Sequence, residues 1–154
     1  MELYRITLSK YANALYAPAY PGRWNSKGIP VIYCSWSRSL ASLENLVHRG
    51  DKVLSSIFSI MVIEVEDSVK LASISVDSLL DDWAMTSVDA YRTCQRLGDD
   101  WVKSSESCLL EIPSAIIHEE SNYMINPAHE DFDKVKLKRV EKFCFDKRMF
   151  SRSL

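Results

Sequence analysis

From Glu2 to Thr7 the side chains alternate, with Leu3, Arg5 and Thr7 on one side and Tyr4 and Ile6 on the other. That is the period of a short strand. Residues 11–28 break the pattern, carrying Pro18, Pro21, Gly22 and Gly28 among Tyr11, Tyr16, Tyr20 and Trp24, loop chemistry unusually rich in rings. Pro30 to Ser35 reads PVIYCS, a β-branched and aromatic run suited to a buried strand. Ser37 can cap a helix over Arg38 to His48 that Gly50 stops. On that helix Leu40, Leu43, Leu46 and Val47 form one arc, and at about 100° per residue Glu44 falls roughly 40° from Leu40, on the border of the apolar stripe.

Further along, Ile57 to Val65 reads as a long strand, and Val76 to Trp83 and Val88 to Val102 as helices capped by Asp77 and Ser87. SCLLEI, from Ser107 to Ile112, is a further strand ended by Pro113 and Ser114. Ile116 to Ile125 carries the chain past Asn122 to a turn at Asn126-Pro127, and Val135 and Leu137 alternate with Lys134, Lys136 and Lys138 as in an exposed strand whose charge protects its edge. Strands and helices mix without regular βαβ alternation, so the expected class is α+β (mixed α/β).

At 154 residues, one domain over 1–154 is expected, and 47% hydrophobic with 26% charged residues is ordinary globular composition rather than that of a disordered chain. The apolar run from Ile57 to Ile63 is too short to span a bilayer, and MELYRITLSK lacks a signal-peptide core, so a cytoplasmic protein with no membrane contact is expected. The net charge of -2 hides three blocks. Residues 1–50 carry six Lys/Arg against two acids, 51–133 five against seventeen, and 134–154 eight against two. A basic front suits a phosphate-bearing ligand, but solvated faces produce the same blocks, and the basic tail reads as structural. Cys34, Cys94, Cys108 and Cys144 stand far apart with no CxxC, which points to buried free thiols and no metal site.

No glycine-rich phosphate loop, HExxH or GxSxG occurs. What remains is a set of polar residues where the pattern favours apolar ones: Arg5 in the first strand, Arg23 in the aromatic loop, Glu44 at the helix border, and Ser114 and Asn122 around a late strand. Each also has an ordinary reading as an edge, surface or turn residue.

Two segments bind these positions together. GRWNSKGIPVIYCSWSRSLASLENLVH, residues 22–48, and SCLLEIPSAIIHEESNYMINPAHEDF, residues 107–132, resemble the RES domain, the toxin of RES-Xre toxin-antitoxin modules. The spacing from Gly22-Arg23-Trp24 through Tyr33 to Leu43-Glu44 and His48, then to Pro113-Ser114 and Asn122-Tyr123, carries the resemblance over nearly the whole chain. It implies an ADP-ribosyltransferase-like fold, a split, mostly antiparallel β-sheet with flanking helices around an NAD cleft, and NAD+ as a substrate rather than a bound prosthetic group. It further implies Arg5 and Arg23 on the dinucleotide's phosphates, Trp24 as a packing surface beside them, Tyr33 near the nicotinamide ribose, Glu44 as the catalytic carboxylate, and Ser114 and Asn122 as further cleft residues. A catalytic set of Glu44, Tyr33 and Arg23 follows, with no metal.

The chemistry asks for those residue types. Breaking the ribose–nicotinamide bond builds positive charge on the sugar while a neutral base departs, so one carboxylate can serve without a second acid. Arginine's planar fork matches pyrophosphate oxygens and turns remote binding into orientation of the ribose. Three functions are consistent with this: an NAD-degrading toxin using water or phosphate, a protein ADP-ribosyltransferase, and a binding module that has lost catalysis. Trp36 and His118 depart from the family pattern, and the large ring of Trp36 has three readings, narrowing the cleft, meeting a partner or simply packing. The resemblance also implies an Xre-type helix-turn-helix antitoxin and a homodimer within a larger complex, whereas the chain's own lack of a recognition helix argues against direct nucleic acid binding.

Overall fold

The computed structural model describes residues 1–49 and 57–149. The strands are β1 (Glu2–Leu8), β2 (Ile32–Ser35), β3 (Phe58–Val65), β4 (Leu71–Ser73), β5 (Leu109–Pro113), β6 (Ser121–Ile125) and β7 (Val135–Phe143), and the helices are α1 (Arg38–Arg49) and α2 (Val88–Ser104). The strands form one sheet in the order β4-β5-β6-β2-β1-β3-β7, in which only β4 and β5 run parallel. The expected α+β class and mostly antiparallel sheet therefore hold.

The sheet is joined unevenly. β1 pairs with β3 along seven residues, and β2 with β6 along four, yet β1 and β2 meet at the single pair Tyr4↔Ser35. It is thus two half-sheets, β4-β5-β6-β2 and β1-β3-β7, that diverge beyond one point of contact. Backbone groups along the gap lack ladder partners and need others, and one is supplied by a side chain: Arg5 Nη1 donates to the Tyr33 carbonyl at 3.3 Å.

Three apolar clusters hold the halves. Leu3, Ile32, Cys34, Met61, Ile63 and Ile125 pack across the divide, with Ala12, Leu15 and Ala17 of the aromatic loop folded against them. Trp24, Val31, Trp83, Cys94, Trp101 and Met124 join α2 to the β5-β6-β2 half. Ile6, Ala41, Phe58 and Ile60 join α1 to β1 and β3.

Local signals explain both helices. Ser37 Oγ accepts from Leu40 N at 3.1 Å at the start of α1, and Ser87 Oγ from Ala90 N at 3.2 Å at the start of α2. Along α2, Ala90, Cys94, Gly98 and Trp101 repeat at helical spacing on the buried side. Gly98 is dictated by contact: a Cβ there would collide with the Trp24 carbonyl oxygen. The expected stop at Gly50 lies outside the described residues.

Elsewhere the structure corrects the sequence reading. Val76 to Trp83 is not a helix; Val76–Ser78 is a 3-10 element capped by Ser75 rather than Asp77, and separate turns follow, closed by Trp83 N to the Leu80 carbonyl and Met85 N to the Asp82 carbonyl. The carbonyls of Trp83, Ala84 and Met85 instead converge on the Arg23 guanidinium, and Trp83 leaves solvent to pack against Trp24. β4, too short to register as a periodic pattern, docks parallel to β5. Ile116 to Ile125, for which the sequence reading named no element, begins with a turn held by Ser114 Oγ, which accepts from Ile116 N and Ile117 N, and continues as β6 from Ser121. Cys34, Cys94 and Cys108 are buried, but Cys144 is exposed beyond the end of β7. The basic tail forms the edge strand β7, with Lys138 paired to Glu2 and Glu64, and Arg139 to Glu141. No helix among the described residues is long and apolar enough to cross a membrane.

Candidate active site

Where β1 and β2 part, α1 crosses the opening and a cleft of about 240 Å³ remains. β1 contributes Tyr4, Arg5 and Ile6, β2 contributes Tyr33, Cys34 and Ser35, and β6 contributes Asn122. The α1 wall is Ala41, Glu44, Asn45, His48 and Arg49. Those five positions are one face of a helix, spaced i, i+3, i+4, i+7 and i+8. An apolar residue at its start gives way to four polar ones, so a second, hydrophilic stripe lies beside the leucine stripe of α1.

Glu44 is held by one oxygen. Its Oε1 accepts from Asn122 Nδ2 at 2.6 Å and from Ser114 Oγ at 2.9 Å. Asn122 is fixed in turn, its Oδ1 accepting from Ser35 Oγ at 2.6 Å, and Ser114 is fully buried. These partners set the rotamer of Glu44. Its Oε2 accepts no hydrogen bond among the described residues and lies 3.8 Å from His48 Nε2, and the side chain keeps 21% exposure. The arrangement presents one carboxylate oxygen to the cleft while the other is anchored.

Arg5 supplies positive charge opposite. Among the described residues its guanidinium has one acceptor, the Tyr33 carbonyl, and no carboxylate. Burial lowers its affinity for its proton below that of a free guanidinium, and Arg49 pushes the same way, while Cys34 opposes them. Arginine remains charged under such pressure. The Cys34 thiol at the cleft floor is pushed up to about 12 by burial, so it stays protonated and is no nucleophile.

Tyr33 lines the cleft, its side chain packing against the Trp24 cluster and its hydroxyl spoken for: it donates to Asn25 Oδ1 at 2.8 Å and accepts from Trp24 N at 3.1 Å. Burial raises the hydroxyl's pKa well above the tyrosine range. Asn25, 1% exposed, also donates to the Tyr20 and Ile29 carbonyls and so ties the aromatic loop into a knot around Tyr33. Helix α2 clamps that knot from outside through Gln95 to the Gly22 carbonyl and Asp99 to Ser26 N.

Of the residues singled out in the sequence, Arg5, Tyr33, Glu44 and Asn122 come together in the cleft, and Ser114 reaches it through Glu44. Arg23 and Trp24 are not among the lining residues. Arg23 donates to the carbonyls of Trp83 (2.6 Å), Met85 (3.0 Å) and Ala84 (3.1 Å), and its guanidinium stacks 4.4 Å from the Tyr91 ring centroid. Trp24 is 2% exposed in the α2 cluster. Trp36 does not narrow the cleft; it stands 54% exposed with its ring 6.3 Å from Tyr123. His118 stacks on Trp83 at 5.6 Å. Sequence reasoning passed over Asn25, Ser35, Asn45 and Arg49. The α1 residues among them carried a legible signal, their shared helical spacing with Glu44. Asn25 carried none beyond its place in a loop.

The split, mostly antiparallel sheet with its flanking helices is an ADP-ribosyltransferase-like α+β fold. The model of the RES domain matches residues 2–146, and the chain belongs to that family. It is similar to a protein named Toxin Res from Photorhabdus laumondii, 36% identical over 156 residues with 97% of each chain covered. It is also similar to the Prs ADP-ribosylating toxin of a Sphingobium species, 38% identical over 135 residues, covering 86% of this chain and 82% of that one. Among solved structures, the M. tuberculosis MbcT-MbcA toxin-antitoxin complex contains a chain with a TM-score of 0.77 at 17% identity, covering 93% of this chain and 84% of that one.

Proposed function

We propose that this chain is the toxin of a toxin-antitoxin module and cleaves the nicotinamide–ribose bond of NAD+, depleting the cell's pool by hydrolysis or phosphorolysis. The observation that carries the reading is Glu44, with Oε1 anchored by Ser114 and Asn122 and Oε2 turned to the cleft. As the glycosidic bond breaks, its electron pair leaves with neutral nicotinamide and the ribose becomes cationic. A fixed carboxylate oxygen beside the sugar is stabilising in proportion to that charge, and so acts more strongly on the transition state than on bound substrate. An oxygen of water or phosphate then bonds to the anomeric carbon, and in the case of water a proton passes to solvent.

Arg5 fits a dinucleotide phosphate because it brings a cation, in a partly enclosed site, that no carboxylate among the described residues neutralises. Tyr33 offers a rigid ring and Ser114 and Asn122 orient the acid. Arg23 and Trp24 enter the reading as residues that hold the aromatic loop behind Tyr33. An Xre-type antitoxin is the partner we infer, closing the cleft near Arg5.

A second reading, transfer of ADP-ribose to a protein, draws support from the relative named as an ADP-ribosylating toxin. Incubation of the purified chain with NAD+ and chromatography of the products separates the readings. Free nicotinamide with ADP-ribose or its phosphorylated form is expected; labelled protein favours the second reading, and intact NAD+ refutes both.

A further inference from the structure

One guanidinium falls short of the charge on a pyrophosphate, and Arg23, the other cation considered for the phosphates, is occupied by three carbonyls outside the cleft lining. The cleft holds a second arginine of its own. Arg49, in the last turn of α1, is exposed and lines it together with Arg5. Its guanidinium carbon lies 5.5 Å from the centre of the Phe58 ring, which seats it against the β1-β3 half of the sheet. That contact uses the face of the guanidinium and leaves its N–H edges open. Among the described residues Arg49 has neither a hydrogen-bond acceptor nor a carboxylate partner.

A cation in the last turn of a helix ordinarily serves the helix dipole, and for that purpose it can point to water. Arg49 instead folds back over Phe58 into a cleft that already holds Arg5. Burial comes first in lowering the proton affinity of Arg5, and Arg49 adds to it, so the two cations repel. Nothing in the cleft neutralises the pair. Glu44 is the single carboxylate among the lining residues, and it is tied to Ser114 and Asn122 with His48 beside its other oxygen. Two like charges facing one cavity destabilise the empty chain and are stabilised together by an anion lodged between them.

The spacing along α1 suits a dinucleotide. Arg49 follows Glu44 by five residues, which at the helical rise sets it about 7.5 Å further along the axis. In NAD+ the pyrophosphate hangs on the far side of the nicotinamide ribose from the base, a ring and a short ester link away. Glu44 faces the β2-β6 half of the sheet, Arg49 the β1-β3 half, and Arg5 reaches across the gap between them. Resting on the proposed function above, we infer that Arg49 is a second phosphate-binding residue, which with Arg5 clamps the pyrophosphate while Glu44 meets the nicotinamide ribose. Planar forks on two sides of the diphosphate fix its direction as well as its charge.

The test compares wild type with Arg49→Gln, which keeps helix propensity, and with Arg49→Lys, which keeps the charge without the fork. Thermal midpoints are read beside kcat and KM for NAD+ at low and raised salt. Inhibition constants are taken for ADP-ribose, which carries the pyrophosphate, and for nicotinamide riboside, which carries no phosphate. Arg49→Gln is expected to raise KM for NAD+ and the inhibition constant of ADP-ribose about 10-fold or more, the worth of one charge-assisted contact. Its kcat should change much less, its KM should depend less on salt, and nicotinamide riboside should bind as to wild type. Arg49→Lys should recover part of the loss, since lysine meets phosphate as a point charge. A lowered midpoint with unchanged KM marks a cation that serves only the α1 dipole and overturns the inference. Equal losses for ADP-ribose and the riboside also overturn it, because the effect then lies in the seating of α1 and not on a phosphate. Wild type that neither binds nor consumes NAD+ overturns the proposed function and this inference together, so the two failures are distinguishable.

Discussion

Glu44→Gln is the substitution whose consequence the geometry constrains most tightly. Asn122 Nδ2 and Ser114 Oγ both donate to Oε1, so a glutamine must place its oxygen there and its NH2 where Oε2 stood. The fold keeps its contacts, and two charge-assisted hydrogen bonds become neutral ones, a stability loss of about 1 kcal/mol. The cleft loses far more. A carboxylate oxygen is exchanged for a donor whose positive end faces the cationic sugar, and one preorganised transition-state contact is commonly worth about 100-fold or more in turnover, about 2.7 kcal/mol of barrier. KM should change little, because the contact strengthens only as charge develops. Glu44→Ala behaves differently, leaving the buried Ser114 hydroxyl and the Asn122 amide short of an acceptor, and should cost about 1–3 kcal/mol of stability as well as activity. The assay is release of nicotinamide from NAD+ at saturating substrate, run beside a thermal melt. A folded Glu44→Gln chain that turns over NAD+ within a few-fold of wild type would refute the role given to Glu44.

Three further outcomes follow from the same geometry. Arg23→Ala removes the donor to three carbonyls of the turn beside Trp83 and should cost about 2 kcal/mol, a fall of several degrees in thermal midpoint; a raised KM with an unchanged midpoint would instead restore Arg23 to the phosphates. Gly98→Ala gains about 1 kcal/mol of helix propensity but drives its Cβ into the Trp24 carbonyl, a backbone group that cannot step aside, so the net effect is destabilising and a melt no lower than wild type would contradict it. Arg38 and Arg139 hold the Glu141 carboxyl down to about 2. A carboxyl depressed in the folded state contributes stability above its ordinary value near 4.5 that disappears as pH falls towards 2. The thermal midpoint should drop through that window, and Glu141→Gln should flatten the drop; identical pH dependence in the variant would show the pairing to be inert.

What the sequence determined by itself was local. Alternation at Glu2 to Thr7, the PVIYCS run, the Ser37 and Ser87 caps and the leucine stripe of α1 each report an interaction between near neighbours, and each element lies within a few residues of where the pattern put it. Motif spacing was legible too, because the resemblance of residues 22–48 and 107–132 to the RES domain singled out Glu44, Tyr33 and Ser114 before any contact was known.

Tertiary structure decided everything that depends on which partner a group finds. Val76 to Trp83 has enough apolar periodicity for a helix, but Trp83 packs on Trp24 and its carbonyl, with those of Ala84 and Met85 just beyond, accepts from Arg23 in a loop some sixty residues earlier in the chain, contacts that no local pattern can register. The same contact takes Arg23 out of the cleft. β4 is three residues long and exists because β5 gives it a ladder. The site itself is a property of the sheet: only because β1 and β2 share a single pair does a gap open for Arg5, Glu44 and Asn45 to line. Whether two strands zip fully or diverge is set by the register each keeps with its other neighbour, β3 on one side and β6 on the other, a long-range constraint that is absent from the spelling of either strand.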